Sequence, residues 1–358
     1  MDSNEFFKKH QSLIEECLDK TVESFISSKK KELVKISDLL DYFKAANKSG
    51  KMTRGLAVIV GYALAGGKDF EKAVIPAVAF EIFQSSILIH DDIIDKSERR
   101  RGMDSVYHRY NIIGRNKFHH KGEEAKHYGI SQAICMGDAG LTFAIEVLAQ
   151  SDFPAAITLK AVMNFINTIT TTGLGEMLDV ELPYYKKNED CTEDDINAVN
   201  INKTAQYTCT GPLQLGAILA NADDKLMSNI KLFGDNLGTA FQIKDDLLIF
   251  SEIKRREKDE KDFFADLKER KKTYLLRYAL ESKLINESEK ATLEGLCGKT
   301  LKYDEKVTAI SILEKSGARA LCNKKIQGHV ERAKSLIDDI CIDDFSKSLL
   351  LKYVEKVV

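Results

Sequence analysis

The sequence has few helix breakers and no strong charge of either sign. Its 358 residues include only 4 prolines and no tryptophan, and so little proline argues against an all-β sandwich or barrel with its many turns. The 53 Lys and Arg residues nearly balance the 55 Asp and Glu residues, which gives a formal charge of -2. We therefore expect no nucleic-acid partner, because the chain carries no bulk positive field.

Signals for disulfides, structural zinc and membrane segments are also missing. The 7 cysteines are odd in number and form no Cys-x-x-Cys pair, which argues against a disulfide framework and a zinc site. The N-terminal segment is charged, and the longest apolar run, Ala57–Gly67, is shorter than the ~20 residues that span a bilayer. We expect a cytoplasmic protein with no integral membrane segment.

Apolar residues recur every three to four positions over long segments, as in amphipathic helices. These segments are 4–25, 72–94, 137–148, 155–180 and 225–250. Gly66-Gly67 predicts a helix end, Thr192 followed by three acids predicts a helix start, and Ser131 predicts the start of the helix through Gly137. The polar stretches 111–126 and 251–272 are expected to be connections. The absence of strict alternation predicts no sheet, and the absence of internal repeats excludes a solenoid. Length alone suggests about two domains, but no linker-like composition separates the periodic segments, so we predict a single all-α domain over 1–358.

Two acidic motifs about 150 residues apart interrupt apolar helices. The first motif contains Asp91, Asp92 and Asp95, and the second contains Asp245 and Asp246. Unpaired carboxylates are costly to bury, so these residues are expected to face solvent, a cation or a metal. Asp91 and Asp95 are four residues apart and share a helix face, a spacing suited to hard cations. A solvated helix end explains one such motif equally well, but it explains two matching motifs poorly.

The chemistry expected at the two acidic motifs is binding of a diphosphate through metal ions. Mg²⁺ usually divides its ligands between a few carboxylates and substrate phosphates. Arginine offers a planar fork for phosphate oxygens and lysine a mobile charge. Such cations stand near both motifs: Lys51, Arg54, Arg99, Arg100, Arg101, Lys203, Lys261, Lys271 and Lys272.

The ordered set of motifs resembles the trans-isoprenyl diphosphate synthases, enzymes such as farnesyl and geranylgeranyl diphosphate synthase that extend prenyl chains head to tail. The likeness runs from about Gly50 to Thr273 and is far more specific than a single acidic motif. It rests on Gly50-Lys51-x-x-Arg54, Glu81-x-x-Gln84, Leu88-Ile89-His90-Asp91-Asp92-x-x-Asp95, Ser97-x-x-Arg100-Arg101-Gly102, Gly137-Asp138, Gly175-Glu176-x-x-Asp179, Lys203-Thr204-Ala205, Gly238-x-x-Phe241-Gln242-Ile243-x-Asp245-Asp246 and Asp266-Leu267-x-Glu269-x-Lys271-x-Thr273.

The resemblance implies the helical bundle of the isoprenoid synthases, with an active-site cavity between central helices, and assigns a role to each matching residue. About three Mg²⁺ ions are implied, with the ligands Asp91, Asp92, Asp95, Asp245 and Asp246. Residues implied to hold the allylic diphosphate are Arg100, Lys203 and Lys261. Those implied to hold isopentenyl diphosphate without metal are Lys51, Arg54, Gln84 and Arg101. Phe241 and Lys271 are further substrate-binding residues by the same resemblance.

The implied reaction begins with ionisation of an allylic diphosphate, which can be the dimethylallyl, geranyl or farnesyl compound. The isopentenyl double bond then attacks the carbocation, and a proton is lost. Cations fixed around the departing pyrophosphate stabilise the transition state. The catalytic residues implied are Arg100 and Lys203, together with Thr204 and Gln242 beside the carbocation. A homodimer is implied as well.

Two positions bear on metal affinity and on product length. Ile249 stands where the family's second motif has its last acid, so we expect weaker metal binding than usual. Ser86 and Ile87, five and four residues before Asp91, are expected to border the growing tail, and a bulky aromatic there closes the pocket near C15 in the family. Because Ser86 is small and Phe83 lies about one turn deeper, the sequence predicts C20 geranylgeranyl diphosphate.

Three alternatives remain open from the sequence. Farnesyl diphosphate synthase differs only in product length. A noncatalytic regulatory subunit of a prenyl synthase would explain the incomplete second motif. A terpene cyclase also ionises a diphosphate, but it would not need the four residues assigned to isopentenyl diphosphate.

Overall fold

Almost all regular structure in the chain is helical, as the computed structural model describes it over residues 2–48, 50–185, 190–254 and 264–358. The α-helices are α1 Ser3–Glu32, α2 Ser37–Asn47, α3 Thr53–Leu64, α4 Val74–Ile94, α5 Val106–Phe118, α6 Gly122–Ala149, α7 Ala155–Glu181, α8 Glu193–Val199, α9 Gly211–Leu219, α10 Asp224–Asp246, α11 Ala265–Lys268, α12 Tyr274–Glu281, α13 Glu287–Leu296, α14 Tyr303–Lys315, α15 Ala318–Ser335, α16 Ile337–Ile340 and α17 Asp344–Val357. The predicted all-α class is confirmed.

Shorter elements connect these helices. The turns Val34–Ile36, Leu182–Tyr184 and Leu247–Lys254 are 3-10 helical, and Asn200–Thr210 forms a π-helical stretch. Two short antiparallel strands, β1 Arg99–Arg100 and β2 Met103–Asp104, form a hairpin. The expectation that no sheet is present is therefore wrong at this one place, where two residues per strand are too few to show alternation in the sequence.

The chain forms two compact units, each assembled from separate segments. Unit 1 comprises Met1–Ile166, Pro212–Asp223 and Ile342–Lys352, and unit 2 comprises Asn167–Gly211, Asp224–Cys341 and Tyr353–Val358. The first acidic motif therefore belongs to unit 1 and the second to unit 2.

The core of unit 1 is built around α4, which packs against α1, α3 and α6. Most positions of α4 before its acidic end are apolar, which is typical of a helix buried on all sides. Phe80 and Phe83 are fully buried, and both rings pack edge-on against Phe165, with centroids 4.8 and 5.5 Å away. This aromatic cluster anchors the helix that carries the first acidic motif.

Unit 2 is centred on α10, which packs against the π-helical stretch and α15. Glycines allow neighbouring helices to touch that stretch, among them Gly175 and Gly238. A Cβ added at Gly175 of α7 would lie 2.3 Å from the Lys203 backbone nitrogen, and one added at Gly238 of α10 would lie 2.4 Å from the Ala205 Cα atom. Any larger residue at either glycine would push the π-helical stretch out of place.

The five periodic segments all fall in helices, with α10 changing to a 3-10 turn after Asp246. The helix start at Thr192 is confirmed by a capping box with Asp195, and the helix end near Gly66 by the positive φ of that residue, 85°.

The predicted start at Ser131 is wrong, because α6 begins at Gly122, and the connection over 111–126 is wrong because α5 and α6 occupy most of it. The first turns of α6 bury Ala125 and Gly129, small residues that give little periodic apolar signal. Residues 255–263 of the second expected connection lie outside the described part of the chain.

In the part of the chain that the structure describes, two helices are long and apolar enough to cross a membrane by length and composition alone. They are α4, with a mean hydropathy of 1.2, and α6, with a mean hydropathy of 1.3. Of the 18-residue apolar stretch in each helix, 72% is buried within the fold in α4 and 44% in α6. The core helix of a folded protein passes the same test, and α4 ends in Asp91 and Asp92. These helices are weak evidence for a membrane segment.

Candidate active site

The first acidic motif lies at the C-terminal end of α4, where the three carboxylates differ in their surroundings. Asp91 and Asp92 lie in the last turn, and Asp95 is the C-cap residue. Arg100 reaches back from β1 and donates from Nη2 to Asp91 Oδ2 and from Nε to Asp92 Oδ1, both at 2.7 Å. Asp92 is almost fully buried, and burial raises its pKa to about 7 despite the opposing effect of Arg100. One arginine therefore joins both adjacent acids.

The hairpin after α4 gives Arg100 and Arg101 different directions. Arg101 and Gly102 form its two-residue turn, with positive φ values of 50° and 84°, as the type I′ turns favoured in hairpins require. Arg101 lies near Gly50, where an added Cβ would be 3.8 Å from its Nη1 atom. Arg100 therefore binds the acids at the end of α4, whereas the next residue, Arg101, lies near Gly50.

Three of the residues assigned to isopentenyl diphosphate are grouped around the buried Glu81. Glu81 accepts a hydrogen bond from the Gly55 N–H at 2.7 Å, which caps α3 from the side of α4. Gln84, oriented to satisfy both of its neighbours, donates to Glu81 at 3.2 Å and accepts from Arg54 Nη1 at 3.1 Å. Burial raises the pKa of Glu81, against the lowering effects of the Gly55 hydrogen bond, Arg54 and Arg101.

Unit 1 therefore brings Arg54, Gln84 and Arg101 together, and it leaves Lys51 exposed beside Gly50. Glu81 is a residue whose role the sequence reasoning missed, although its spacing from Gln84 was part of the resemblance. A carboxylate in the apolar part of α4 was the available signal.

A cavity of about 390 Å³ opens beside the first motif within unit 1. Its wall includes Asp92, Arg100 and Arg101 together with the apolar residues Leu88 and Ile89. The arginine that joins the two acids is thus reachable from an open space.

The three residues predicted to set product length occupy different surroundings on α4. Phe83 and Ser86 are fully buried, and Ile87 is half-buried. Ser86 lies against α6, since a Cβ added at Gly140 would be 2.2 Å from the Ser86 Oγ atom. Gly140 was not singled out from the sequence, because a glycine gives no sign of which side chain it faces.

In unit 2, the predicted substrate lysines meet around Asp179. Lys203, on the π-helical stretch, lies 2.6 Å from Asp179 Oδ2 and 2.9 Å from Glu176 Oε2. Lys271 lies 3.8 Å from the same Asp179 oxygen and 3.3 Å from Glu269 Oε2. The acids Glu176 and Asp179 thus hold Lys203 in a fixed position. Both acids belong to a motif of the sequence, Gly175-Glu176-x-x-Asp179, but the motif does not indicate that they bind Lys203.

The two polar residues predicted to stabilise the carbocation are directly bonded. The Thr204 hydroxyl donates to Gln242 Oε1 at 2.7 Å, and Gln242 Nε2 donates to Asp246 Oδ1 at 2.8 Å. This fixes which way the Gln242 amide points. Burial, followed by repulsion from Asp266, raises the pKa of Asp246 well above its ordinary value, although the Gln242 hydrogen bond opposes this.

The remaining members of this set are Phe241 and Asp245, which are half-buried on α10 beside Gln242 and Asp246. Lys261 lies outside the described residues. The four-residue spacing between Asp245 and Ile249 predicts that both residues share one helix face, and this prediction is wrong. Ile249 is 5% exposed and belongs to an apolar cluster with Ile243 and Phe250. The change from α- to 3-10-helical backbone after Asp246 removes the four-residue register on which the expectation depended.

The polyprenyl synthetase family model matches residues 35–313. This chain belongs to the polyprenyl synthetase family. The resemblance to the trans-isoprenyl diphosphate synthases and the predicted enzyme class are thereby confirmed. Members of the family act on isoprenyl diphosphates and use divalent metal ions in catalysis.

Among its relatives, this polyprenyl synthetase is 32% identical over 255 residues to the geranylgeranyl diphosphate synthase of Cyanophora paradoxa, over 70% of this chain and 76% of that protein. It is 28% identical over 317 residues to the geranylgeranyl diphosphate synthase of Sulfolobus acidocaldarius, over 87% of this chain and 85% of that protein. A (2E,6E)-farnesyl diphosphate synthase of Mycobacterium tuberculosis is 27% identical over 302 residues, 83% of this chain and 76% of that protein.

The fold is similar to that of a solved synthase. The crystal structure of geranylgeranyl pyrophosphate synthase from Corynebacterium glutamicum, in complex with isoprenyl diphosphate and magnesium, gives a TM-score of 0.85 at 24% identity. The likeness covers 97% of this chain and 98% of that one. The isoprenoid synthase fold predicted from the resemblance is confirmed.

Proposed function

We propose that this polyprenyl synthetase condenses isopentenyl diphosphate with an allylic diphosphate and makes geranylgeranyl diphosphate. The observation that carries the product length is the small, fully buried Ser86 five residues before Asp91, with the buried ring of Phe83 about one turn further along α4. The two geranylgeranyl diphosphate synthases named above, at 32% and 28% identity, support the same length.

The acidic residues fit the family's use of divalent cations. No three His, Cys, Asp or Glu side chains in the described residues converge on one point, so protein atoms alone would not complete a coordination shell. Mg²⁺ is commonly held in this way, by one or two carboxylates together with phosphate oxygens and water. Asp91, Asp92, Asp95, Asp245 and Asp246 would hold about three Mg²⁺ ions. When bound, the ions supply electrostatic stabilisation of the departing pyrophosphate.

Unit 1 would bind the two substrates through different groups, the allylic diphosphate through metal-binding acids and isopentenyl diphosphate directly through cations. Arg100 is already committed to Asp91 and Asp92, so it suits the allylic diphosphate that the acids would bind through metal. Arg54, Gln84 and Arg101 form a group with Glu81 in place of those aspartates. This group suits isopentenyl diphosphate, which needs direct contacts to cations, with Lys51 supplying one more charge from its exposed position.

The residues of unit 2 would act on the carbocation and its leaving group. Lys203 and Lys271 place positive charge where negative charge develops on the pyrophosphate, and Asp179 holds both lysines. Gln242 is oriented by Thr204 and Asp246, so its carbonyl oxygen is the pole turned toward Thr204. The Gln242 carbonyl oxygen and the Thr204 hydroxyl oxygen would stabilise the allylic carbocation without giving up a proton.

We further propose a cytoplasmic homodimer in which the whole chain, 1–358, acts as one synthase domain. Support comes from the exposed apolar face of α7, where Leu159, Met163, Leu174 and Met177 are between 58% and 68% exposed. A second copy of the chain would cover such a face.

The test is product analysis with the full-length protein. It is incubated with Mg²⁺, isopentenyl diphosphate and, in turn, dimethylallyl, geranyl or farnesyl diphosphate, and the products are identified by mass spectrometry. We expect a C20 product from all three starters. A C15 product that is not extended would identify a farnesyl diphosphate synthase, and no turnover by the folded protein with any starter would identify a noncatalytic subunit.

A further inference from the structure

The π-helical stretch Asn200–Thr210 carries both Lys203 and Thr204, and it differs from its neighbours in backbone pairing. At its end the Gly211 N–H bonds to the Gln206 carbonyl, five residues back rather than four. Such pairing is rare over more than one turn and is frequent at functional sites. An 11-residue stretch of this kind therefore needs side-chain contacts that favour it over an ordinary α-helix.

Asp235 of α10 supplies such contacts from outside the stretch. Its Oδ1 atom accepts from the Thr210 hydroxyl at 2.7 Å and from Gln206 Nε2 at 3.3 Å, while Oδ2 pairs with Lys231 at 2.5 Å. Asp235 is 9% exposed and Thr210 is fully buried, so both hydrogen bonds form away from bulk water. A buried charged acceptor makes these bonds stronger than ordinary surface contacts.

The same two elements are joined a second time by the bond from Thr204 to Gln242. Asp235 precedes Gln242 by seven residues, which is about 10 Å along α10. The two attachments are therefore about two turns apart, with Thr210 at one end and Thr204 at the other. Gly234 lets the far end approach closely, since a Cβ there would lie 2.7 Å from the Thr210 Cα atom.

We propose that Asp235 is a positioning residue that holds the π-helical stretch in register, so that Thr204 meets Gln242 and Lys203 meets Asp179. Among the described residues, Asp235 bonds to Thr210, Gln206 and Lys231. It therefore acts on Lys203 and Gln242 only indirectly, through Thr210 and Gln206. Without its two bonds the stretch would relax toward α-helical pairing, which changes the rotation of Thr204 and Lys203 relative to α10. The expected effect of Asp235 on kcat rests on the proposed function. Its expected effect on the backbone of the π-helical stretch rests on the structure alone.

The test compares Asp235→Ala with Asp235→Asn, which keeps one acceptor oxygen for Thr210. The matched control is Asn236→Ala, since Asn236 is the next residue of α10 and bonds instead to His329 and Arg332 at 2.9 and 3.0 Å. We expect Asp235→Ala to lower kcat about ten- to a hundredfold, with the KM for isopentenyl diphosphate changed less than about twofold. Asp235→Asn should restore most of the rate, and Asn236→Ala should keep it.

A readout that needs no activity is backbone hydrogen exchange over residues 200–211, measured by mass spectrometry. Exchange there should be faster in Asp235→Ala than in Asn236→Ala at equal melting temperature. Thr210→Val, which keeps the side-chain shape and removes the hydroxyl, should behave as Asp235→Ala does, and Thr210→Ser should not. Unchanged exchange in Asp235→Ala and Thr210→Val would overturn the inference, as would a loss of kcat no larger than in Asn236→Ala. An inactive wild type would overturn the proposed function and leave the exchange result to decide the inference.

Discussion

Ser86 on α4 lies directly against Gly140 on α6, so that a methyl group added at Gly140 would lie 2.2 Å from the Ser86 hydroxyl oxygen. The same methyl group would lie 2.9 Å from the ring of Phe43, a fully buried residue of α2. The hydroxyl donates to the Ile82 carbonyl at 2.7 Å. The position expected to border the prenyl tail is therefore enclosed on this side by Gly140 and Phe43.

Bulk at Ser86 should shorten the product. We expect Ser86→Phe to shift the product from C20 to C15, because the added ring would fill the space beside Ser86 into which the prenyl tail is expected to grow. Phe83→Ala should lengthen the product by removing the ring about one turn deeper. Mass spectrometry of the product mixture checks both, with Ser86→Ala as the control that removes the hydroxyl without adding bulk. If neither variant alters the spectrum, the tail does not pass this face of α4.

An acid at position 249 should destabilise the fold rather than improve metal binding. Ile249→Asp would place a carboxylate within an apolar cluster where the native side chain is 5% exposed. We expect a loss in the free energy of unfolding on the order of 3 kcal/mol or more, measured by chemical denaturation. Ile249→Val should cost only about 1 kcal/mol. A stable Ile249→Asp variant that needs less Mg²⁺ for half-maximal activity would show instead that position 249 faces the metals.

The two arginines of the hairpin should affect different substrates. Arg101→Ala and Lys51→Ala should raise the KM for isopentenyl diphosphate more than that for the allylic diphosphate, because Arg101 belongs with Arg54 and Gln84. Arg100→Ala should show the opposite preference through its bonds to Asp91 and Asp92. Steady-state kinetics with each substrate varied in turn checks the division, and equal effects on both substrates would contradict it.

Removal of Asp91 should abolish turnover with little loss of stability. Asp91 is half-buried, and Arg100 would keep its bond to Asp92 when Asp91 is removed, so the fold should tolerate Asp91→Ala. We expect kcat to fall by several orders of magnitude. The control is Asp152→Ala, an exposed acid paired with Lys72. More than about a tenth of wild-type activity at saturating Mg²⁺ would contradict the assignment.

His329 should make stability depend on pH below neutrality. Burial lowers the pKa of His329 to about 4, with further lowering by Arg332 and Lys325, whereas an unfolded histidine titrates near about 6.5. The unfolded chain therefore binds this proton more readily, so stability present above about pH 6.5 is lost as the pH falls toward 4. The melting temperature of wild type should drop more between pH 7 and pH 5 than that of His329→Gln, by thermal denaturation at both values. Equal drops would mean that His329 titrates alike in both states.

The sequence predicted the large helices and the charged residues of the site for the same physical reason. Apolar side chains that recur every three to four residues indicate α4 and α7, and acids inside such helices require a partner. The start of α6 was missed because Ala125 and Gly129 bury little area.

The partners of the charged residues could not be predicted, since Asp179 meets Lys203 across 24 positions of sequence and only tertiary packing brings them together. Asp235 carried the same signal as the acidic motifs, a carboxylate among buried residues of α10, but no neighbouring acid drew attention to it.

The six-residue hairpin Arg99–Asp104 after α4 has a consequence for which substitutions and insertions this enzyme can tolerate. Arg100 and Arg101 are consecutive, yet one is bonded to the acids of α4 and the other lies near Gly50, because the turn between β1 and β2 reverses the chain at Arg101 and Gly102. Point substitutions can alter one arginine at a time. A single inserted or deleted residue, by contrast, would shift both guanidinium groups at once, so the length of this loop is constrained far more tightly than its composition.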